Sequence, residues 1–412
     1  MNDNQVNDIV HAYFGDVPSP VVMINCAELL GILDVVFVTW PYQLLRAREP
    51  VTGRAIVIDW RDGVYYVSSP WMEDRVRKFQ HSVDVACWLV VEFSWAFLED
   101  NPELLCLHCA SVEISGRLIV MPNQYKAGKS VLSACLAARG HRVFGDDILP
   151  VGVAKDGSIT GMSTGVAPRL RLPLPTDLHV DDIKFLTSSL AEASNRYVYL
   201  RLSEKILAHR NEVLNIGSII LLERSDDEAV RLEPINKAEV LQAAIWQNFS
   251  RQLPSVTILN ILRSLVEGTE HYRLHYSNAG EAADCLSSAF KTWRLPIPVV
   301  KPINNVPQPS SRAGRHTTIE EQDPVMARTV GVFEYQVEDD SFLASPLGAS
   351  IFRLNLLASA VWRLLETPMR PSELLDIVCL AFPEEDGGRI RRDIMNLLTS
   401  LSIEHFIQVA DQ

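Results

Sequence analysis

The sequence predicts an α/β body on a mixed sheet, followed by a small winged-helix-like α+β module. Three observations lead there. From Leu104 to Trp293 apolar strand-like runs alternate with helix-period segments, the pattern of elements packed on a central sheet. Residues 296–327 then break every periodicity, with five prolines between Pro296 and Pro309. After that break, three short strand-like runs precede three amphipathic helices. The reading divides the chain into a β-rich lobe with a helix at 1–100, a core at 101–296, a linker at 297–327 and a terminal module at 328–412.

Within the first lobe, VVFVTW, AIVIDW and GVYYVSS read as strands, and Arg61-Asp62-Gly63 as the turn between the last two. A helix is expected from about Glu73 to Glu99, because Val83, Cys87, Val90, Val91 and Ser94 recur at three- and four-residue steps. In the core, LHCASVEI and RLIVMP form a hairpin around Ser115-Gly116, and SVLSACLAARG is a helix closed by Gly140. HRVFGDD is a short strand, followed by a loop rich in Gly and Pro. The strands SIILLER and HYRLHYS and the helices KAEVLQAAIWQNF and GEAADCLSSAFKTW complete the body.

Composition narrows the function classes. Hydrophobic residues make up 47% and charged residues 22%, ordinary for a globular chain, and the net charge of −13 argues against broad binding to nucleic acid or anionic lipid. The N-terminal stretch lacks the basic and apolar regions of a secretory signal, and VDVACWLVVEF is too short and too charged to span a membrane. Seven cysteines without framework spacing suit reduced thiols, so a cytoplasmic protein is expected, with neither nucleic acid nor membrane as partner. Cys106-Leu107-His108-Cys109 invites a metal test. No second pair follows, and a strand would turn Cys109 away from Cys106 and His108, so buried strand cysteines are the preferred reading.

The run Asn123-Gln124-Tyr125-Lys126-Ala127-Gly128-Lys129-Ser130 fits G-x-x-x-x-G-K-[ST] except that Asn123 replaces the first glycine. In such a loop backbone N–H groups turn around phosphate oxygens, Lys neutralises charge and the Ser hydroxyl takes Mg²⁺. A strand before it and a helix after it supply the required context. Asn visits positive φ readily, whereas Tyr125 and Lys126 make the loop bulky. Asp146-Asp147, at the end of an apolar strand, offers the acid that such chemistry needs to hold Mg²⁺ or take a proton.

His108-Cys109-Ala110-Ser111-Val112, Gly128-Lys129-Ser130, Arg139-Gly140-His141-Arg142 and Gly145-Asp146-Asp147, in that order, resemble the catalytic core of the HPr kinase/phosphorylase family. The resemblance implies a P-loop kinase-like body that uses ATP, or another nucleoside triphosphate, with Mg²⁺. It implies that Asn123 to Val131 cradle the nucleotide, that Lys129 and Ser130 meet the β/γ-phosphates, and that Ser130 and Asp147 hold the metal. Asp146 would be the base for the acceptor hydroxyl, with His108 near the site and Arg169 or Arg171 stabilising the transferred phosphate. The sequence departs from the family at Tyr125, Lys126 and Val131, which bears on turnover more than on binding. The first hundred residues do not match the family's N-terminal domain, so phosphorylase activity and the HPr substrate are not carried over.

In the module, the strands are TVGVFEYQV, SFLASPL and ASIFRLN, and the helices LLASAVWRLLE, RPSELLDIVCLAF and GRIRRDIMNLLTSLSIEH. Arg389, Arg391 and Arg392 are flanked by Glu384, Glu385, Asp386 and Asp393, which argues against DNA. Leu354-Asn355, Ala360 to Glu366, Pro371-Ser372-Glu373-Leu374-Leu375 and Arg392-Asp393-Ile394 are similar to the PqqD family of peptide chaperones. That family binds the leader of a ribosomally made peptide as an added strand. The resemblance places the groove along Ser350, Ile351, Phe352, Arg353 and Leu354, and along Arg391, Met395 and Leu398. Ile394 and Leu397 are expected in the module's own core.

Together these readings predict a kinase that phosphorylates a Ser or Thr hydroxyl of a leader-bearing precursor peptide. The alternative is a decayed nucleotide-binding scaffold that presents the peptide to a separate modifying enzyme. Other enzymes of the pathway are expected as further partners, and homo-oligomer formation is compatible with the sequence.

Overall fold

The structure is a computed structural model. It describes residues 8–15, 17–47, 53–72, 75–122, 127–225, 229–250, 253–293, 323–348 and 350–410. Asn123, Gln124, Tyr125 and Lys126, and the proline-rich linker up to residue 322, lie outside the described residues. The chain forms two compact units, Met1–Ile235 with Gln247–Ser250 and Gly268–Val299, and Asn236–Trp246 with Arg251–Glu267 and Val300–Gln412.

The first unit carries a six-stranded sheet in the order Tyr42–Ala47, Ile9–Phe14, Val21–Ile24, Ile56–Arg61, Val64–Ser68 and Arg77–Phe79. A second, mixed sheet is built around Val213–Arg224, which pairs in parallel with Arg117–Met121 on one side and Glu270–Tyr276 on the other. The expected hairpin is present: Ala110–Ile114 runs antiparallel to Arg117–Met121, and Ser115 and Gly116 take positive φ as a tight two-residue turn requires. Buried apolar residues from both sheets belong to one cluster, from Ala12 and Phe37 to Ile119, Leu136 and Leu286.

Several expectations are corrected. VVFVTW is not a strand: Val35 and Val36 end the helix Leu30–Val36, because Leu29, Ile32, Leu33 and Val36 make a helical apolar face that overrides β-branched propensity. The long helix starts at Ser82 rather than near residue 73, since Arg77–Phe79 pairs with Val64–Ser68. The Gly/Pro-rich loop holds the strands Leu149–Val153, Ile159–Met162 and Arg169–Arg171 and, further on, the helix Val180–Ser189. A glycine inside one of those strands has a packing cause: a Cβ on Gly161 would lie 2.8 Å from Leu118 Cδ1.

The second unit contains three antiparallel strands in the order Phe333–Val337, Asp340–Ala344 and Ile351–Leu354, followed by the helices Leu356–Leu364, Pro371–Ala381 and Gly387–Ile403. Its family-like residues have clear local work. Asn355 caps the first helix by accepting from the Ala358 N–H at 2.9 Å, and Glu373 accepts from the Arg370 N–H at 2.9 Å at the start of the second. Trp362 is buried under the Arg328 guanidinium, 4.3 Å from its ring, and donates to Glu334. Two features were not expected. Met326–Arg328 pairs with Ile407–Val409, and the helix Ser255–Glu267, with its apolar face, belongs to this unit, where the Ser255 hydroxyl lies 2.8 Å from the Ser345 carbonyl oxygen.

Candidate functional site

The loop's last glycine leads directly into the helix Lys129–Ala138. Gly128 has φ +88°, and a Cβ there would lie 2.4 Å from Tyr276 Oη. Conformation and space therefore both demand glycine. Tyr276 in turn donates to the Ala127 carbonyl oxygen at 2.9 Å, which fixes the end of the loop against the strand Glu270–Tyr276.

The acidic pair follows a bulge. The register of Arg142–Gly145 against Ala110–Ile114 shifts between Val143 and Gly145, and a Cβ on Gly145 would meet the Ile148 carbonyl oxygen at 2.7 Å. The tight turn that results aims Asp146 inward and leaves Asp147 partly exposed. Asp146 Oδ2 accepts from the Arg169 N–H at 3.0 Å, while its buried Oδ1 has no hydrogen-bond partner among the described residues. Asp147 Oδ2 accepts from the Arg169 guanidinium at 2.8 Å, and its Oδ1 lies 3.6 Å from His108 Nε2.

These surroundings drive the two carboxyls apart. Burial, then the charge of Asp147, raises Asp146 well above the usual carboxylate range, against the pull of the Arg169 N–H and the Ser130 hydroxyl. Burial also pushes Asp147 up, but the nearby His108 and the charge of Arg169 outweigh it and hold Asp147 below the usual carboxylate range. Lys129 is buried, and that burial lowers it despite the opposing charges of Asp147 and Asp146. Adjacent carboxyls thus have one member suited to hold a proton and one suited to stay charged.

The structure brings together Lys129, Ser130, Asp146, Asp147, Arg169 and His108. Arg171 is exposed, two residues further along the strand, and reaches the Tyr197 ring at 5.7 Å, where Arg169 also stacks at 4.4 Å. Cys106 and Cys109 are buried free thiols, and burial raises both. The arginines of the Arg139-Gly140-His141-Arg142 stretch act as clamps. Arg139 pairs with Asp182 at 2.7 Å and Asp284 at 2.5 Å, and Arg142 with Glu113 at 2.8 Å and Glu212 at 2.5 Å.

A cavity open to solvent is lined by Asp146, Asp147, Arg169 and Arg210 and otherwise largely by apolar groups. Sequence reading missed it. Its signal was the stripe Cys87, Val90, Val91 and Ser94, which reads as a core face yet lines this opening. Gly128 and Val131 border a different, smaller cleft of about 210 Å³ with Leu178, Arg224 and Tyr276.

In the second unit, Ile351–Leu354 pairs only with Asp340–Ala344 among the described residues, so its outer edge is unpaired. Phe352 packs on Phe406 with ring centroids 5.1 Å apart, Arg353 pairs with Asp340 at 2.6 Å, and Ser350 bonds Glu404. Leu354, Met395 and Leu398 sit in the core with Ile394, whereas Arg391 is exposed and Ile351 and Phe352 are half-buried.

Residues 341–407 match the profile of the family described as Coenzyme PQQ synthesis protein D (PqqD). The chain carries a PqqD domain. Among solved structures, a complex titled "TbiB1 in Complex with the TbiA(beta) Leader Peptide" is 23% identical over 21% of this chain and 99% of that one, with a TM-score of 0.19. The Hpr(Ser) kinase/phosphatase from Coxiella burnetii is 13% identical over 45% of this chain and 91% of that one, with a TM-score of 0.21. No curated protein matches the sequence. Among the described residues no helix is long and apolar enough to cross a membrane.

Proposed function

We propose that the chain is an ATP-dependent kinase that phosphorylates a Ser or Thr hydroxyl of a ribosomally made precursor peptide, whose leader the PqqD domain captures. The observation that carries this reading is the buried Asp146 carboxylate. It has one oxygen without a partner among the described residues, it stands beside Ser130 and Lys129, and it lines an open cavity.

Mg²⁺ suits the residues present. Ser130 and Asp147 offer hard oxygen donors, and no cluster of three His, Cys, Asp or Glu among the described residues could hold a metal by itself, so phosphate oxygens would complete the shell. When bound, the ion neutralises charge on the β- and γ-phosphates. Asp146 Oδ1 accepts the proton of the acceptor hydroxyl as its oxygen bonds to the γ-phosphorus; the bond from that phosphorus to the β-γ bridging oxygen breaks and ADP leaves. Lys129 steadies the phosphate charge, and Arg169 orients both aspartates.

On the second unit, a leader pairs with the open edge of Ile351–Leu354 through backbone hydrogen bonds, with Ile351, Phe352 and Arg391 meeting its side chains. Leader capture would raise the local concentration of the acceptor at the phosphate site. Mass spectrometry of a precursor peptide incubated with the full chain and ATP–Mg tests the proposal. A phosphoryl group is expected on one Ser or Thr, and tight leader binding without any phosphopeptide would reject it.

That second outcome belongs to the scaffold reading. It is favoured by one observation: Asp147 is engaged by Arg169 and His108, with which a metal would have to compete. ATP–Mg failing to protect the chain against thermal unfolding would support it.

A further inference from the structure

The kinase reading leaves one feature without a role, the apolar cavity over the acidic pair. A hydroxyl group needs only the acidic pair, yet the opening is also lined by Val90, Val91, Phe97 and Ile148. The stripe of the long helix keeps Val91 nearly half exposed, at 47%. Isolated apolar residues at a surface need no explanation, but a contiguous concave set beside a reactive carboxylate does.

Buried aromatics hold the lining in place from behind. Phe37, Trp40 and Phe93 pack against one another, Trp40 stacked on Phe93 and Phe37 set at an angle to both, with ring centroids 4.9 to 5.3 Å apart. Trp40 is further fixed by donating to the Thr164 carbonyl oxygen at 2.8 Å, and the Arg210 guanidinium lies 3.4 Å from its ring centroid. Among the described residues, charge in the lining is confined to Asp146, Asp147, Arg169 and Arg210. A charged side chain placed against the aromatic wall would lose hydration without a partner, whereas an apolar one gains by burial.

The loop residues Gly128 and Val131 border the separate cleft and not this cavity.

We propose that this cavity is an acceptor pocket that selects a peptide hydroxyl residue flanked by a large apolar or aromatic side chain. The inference rests on the kinase reading for its reaction but makes its own claim about binding. Two synthetic probes test it, acetyl-Gly-Phe-Ser-Phe-Gly-amide and acetyl-Gly-Ala-Ser-Ala-Gly-amide. Their affinity for the full chain with ADP–Mg is measured by calorimetry, and their kcat/KM is measured with ATP–Mg.

The Phe peptide is expected to bind and react about tenfold better, since burying one large side chain is worth at least that factor. Ser94→Phe fills the cavity from the helix, where the native hydroxyl only bonds its own Val90 carbonyl oxygen at 2.6 Å. It should weaken the Phe peptide more than the Ala peptide, and Val91→Lys should do the same from a half-exposed position. Preference in binding without turnover supports the pocket and sinks the kinase reading. Turnover without preference sinks the pocket and leaves the kinase reading standing. Equal or absent binding of both probes overturns the pocket.

Discussion

The proposed phosphate site and the proposed leader edge would work by opposite physics. Around Asp146 the active elements are side chains whose protonation and partners are set by burial, and a single atom is decisive. At Ile351–Leu354 the active element is backbone, and the side chains around it mostly pack the domain's own core. Single substitutions should therefore abolish function at the first region and only weaken it at the second, because an unpaired strand edge survives the loss of any one side chain.

The largest effects are expected at the phosphate site. Asp146→Asn should lower kcat for phosphoryl transfer by about 10²- to 10⁴-fold, the usual worth of a positioned base, and Lys129→Ala by about 10²- to 10³-fold. Leader affinity, read by fluorescence anisotropy, should stay within about twofold in both. Coupled loss of leader binding would break the contrast.

Gly128→Ala comes next. Its positive φ and the close Tyr276 hydroxyl should cost about 1 to 3 kcal/mol in thermal unfolding and remove nucleotide protection. Tyr276→Phe in the same chain would restore only part, because it relieves the contact but not the φ and gives up the hydrogen bond to the Ala127 carbonyl oxygen.

A smaller change is expected at the edge. Arg391→Glu on the exposed side of the last helix should weaken an acidic leader by about fivefold, with little effect on transfer to a leaderless peptide. A loss of a hundredfold there would show that side chains dominate at this region too.

The smallest concerns acid stability. The Arg142 hydrogen bond leads the causes that hold Glu212 below the ordinary glutamate range, so its folded pKa is lower than its unfolded one. Its stabilisation is present above the unfolded value of about 4.3 and is lost as pH falls through the folded value. Arg142→Met should cost on the order of 1 kcal/mol at neutral pH, and the difference from the parent should shrink in scans below about pH 4.

Legibility followed the same divide. That Lys129, Ser130, Asp146 and Asp147 lie together could be anticipated from residue types and order, and the hairpin at Ser115-Gly116 because its turn needs those conformations. The cavity could not, since Cys87, Val90, Val91 and Ser94 follow the same helical period whether they face a core or an opening. The pairing of Met326–Arg328 with Ile407–Val409 was also hidden: the partners are far apart in sequence and each is three residues long. At Val35 and Val36 local β propensity pointed to a strand, and helical burial from Leu29 onward decided otherwise.

The central claim is that Asp146 takes a proton from a peptide hydroxyl as phosphate is transferred. The most direct measurement follows label from γ-labelled ATP into a leader-bearing precursor peptide, comparing the parent chain with Asp146→Asn at matched leader occupancy. The account predicts stoichiometric label on one Ser or Thr with the parent and a loss of at least about a hundredfold in the variant. Undiminished labelling by Asp146→Asn would contradict it.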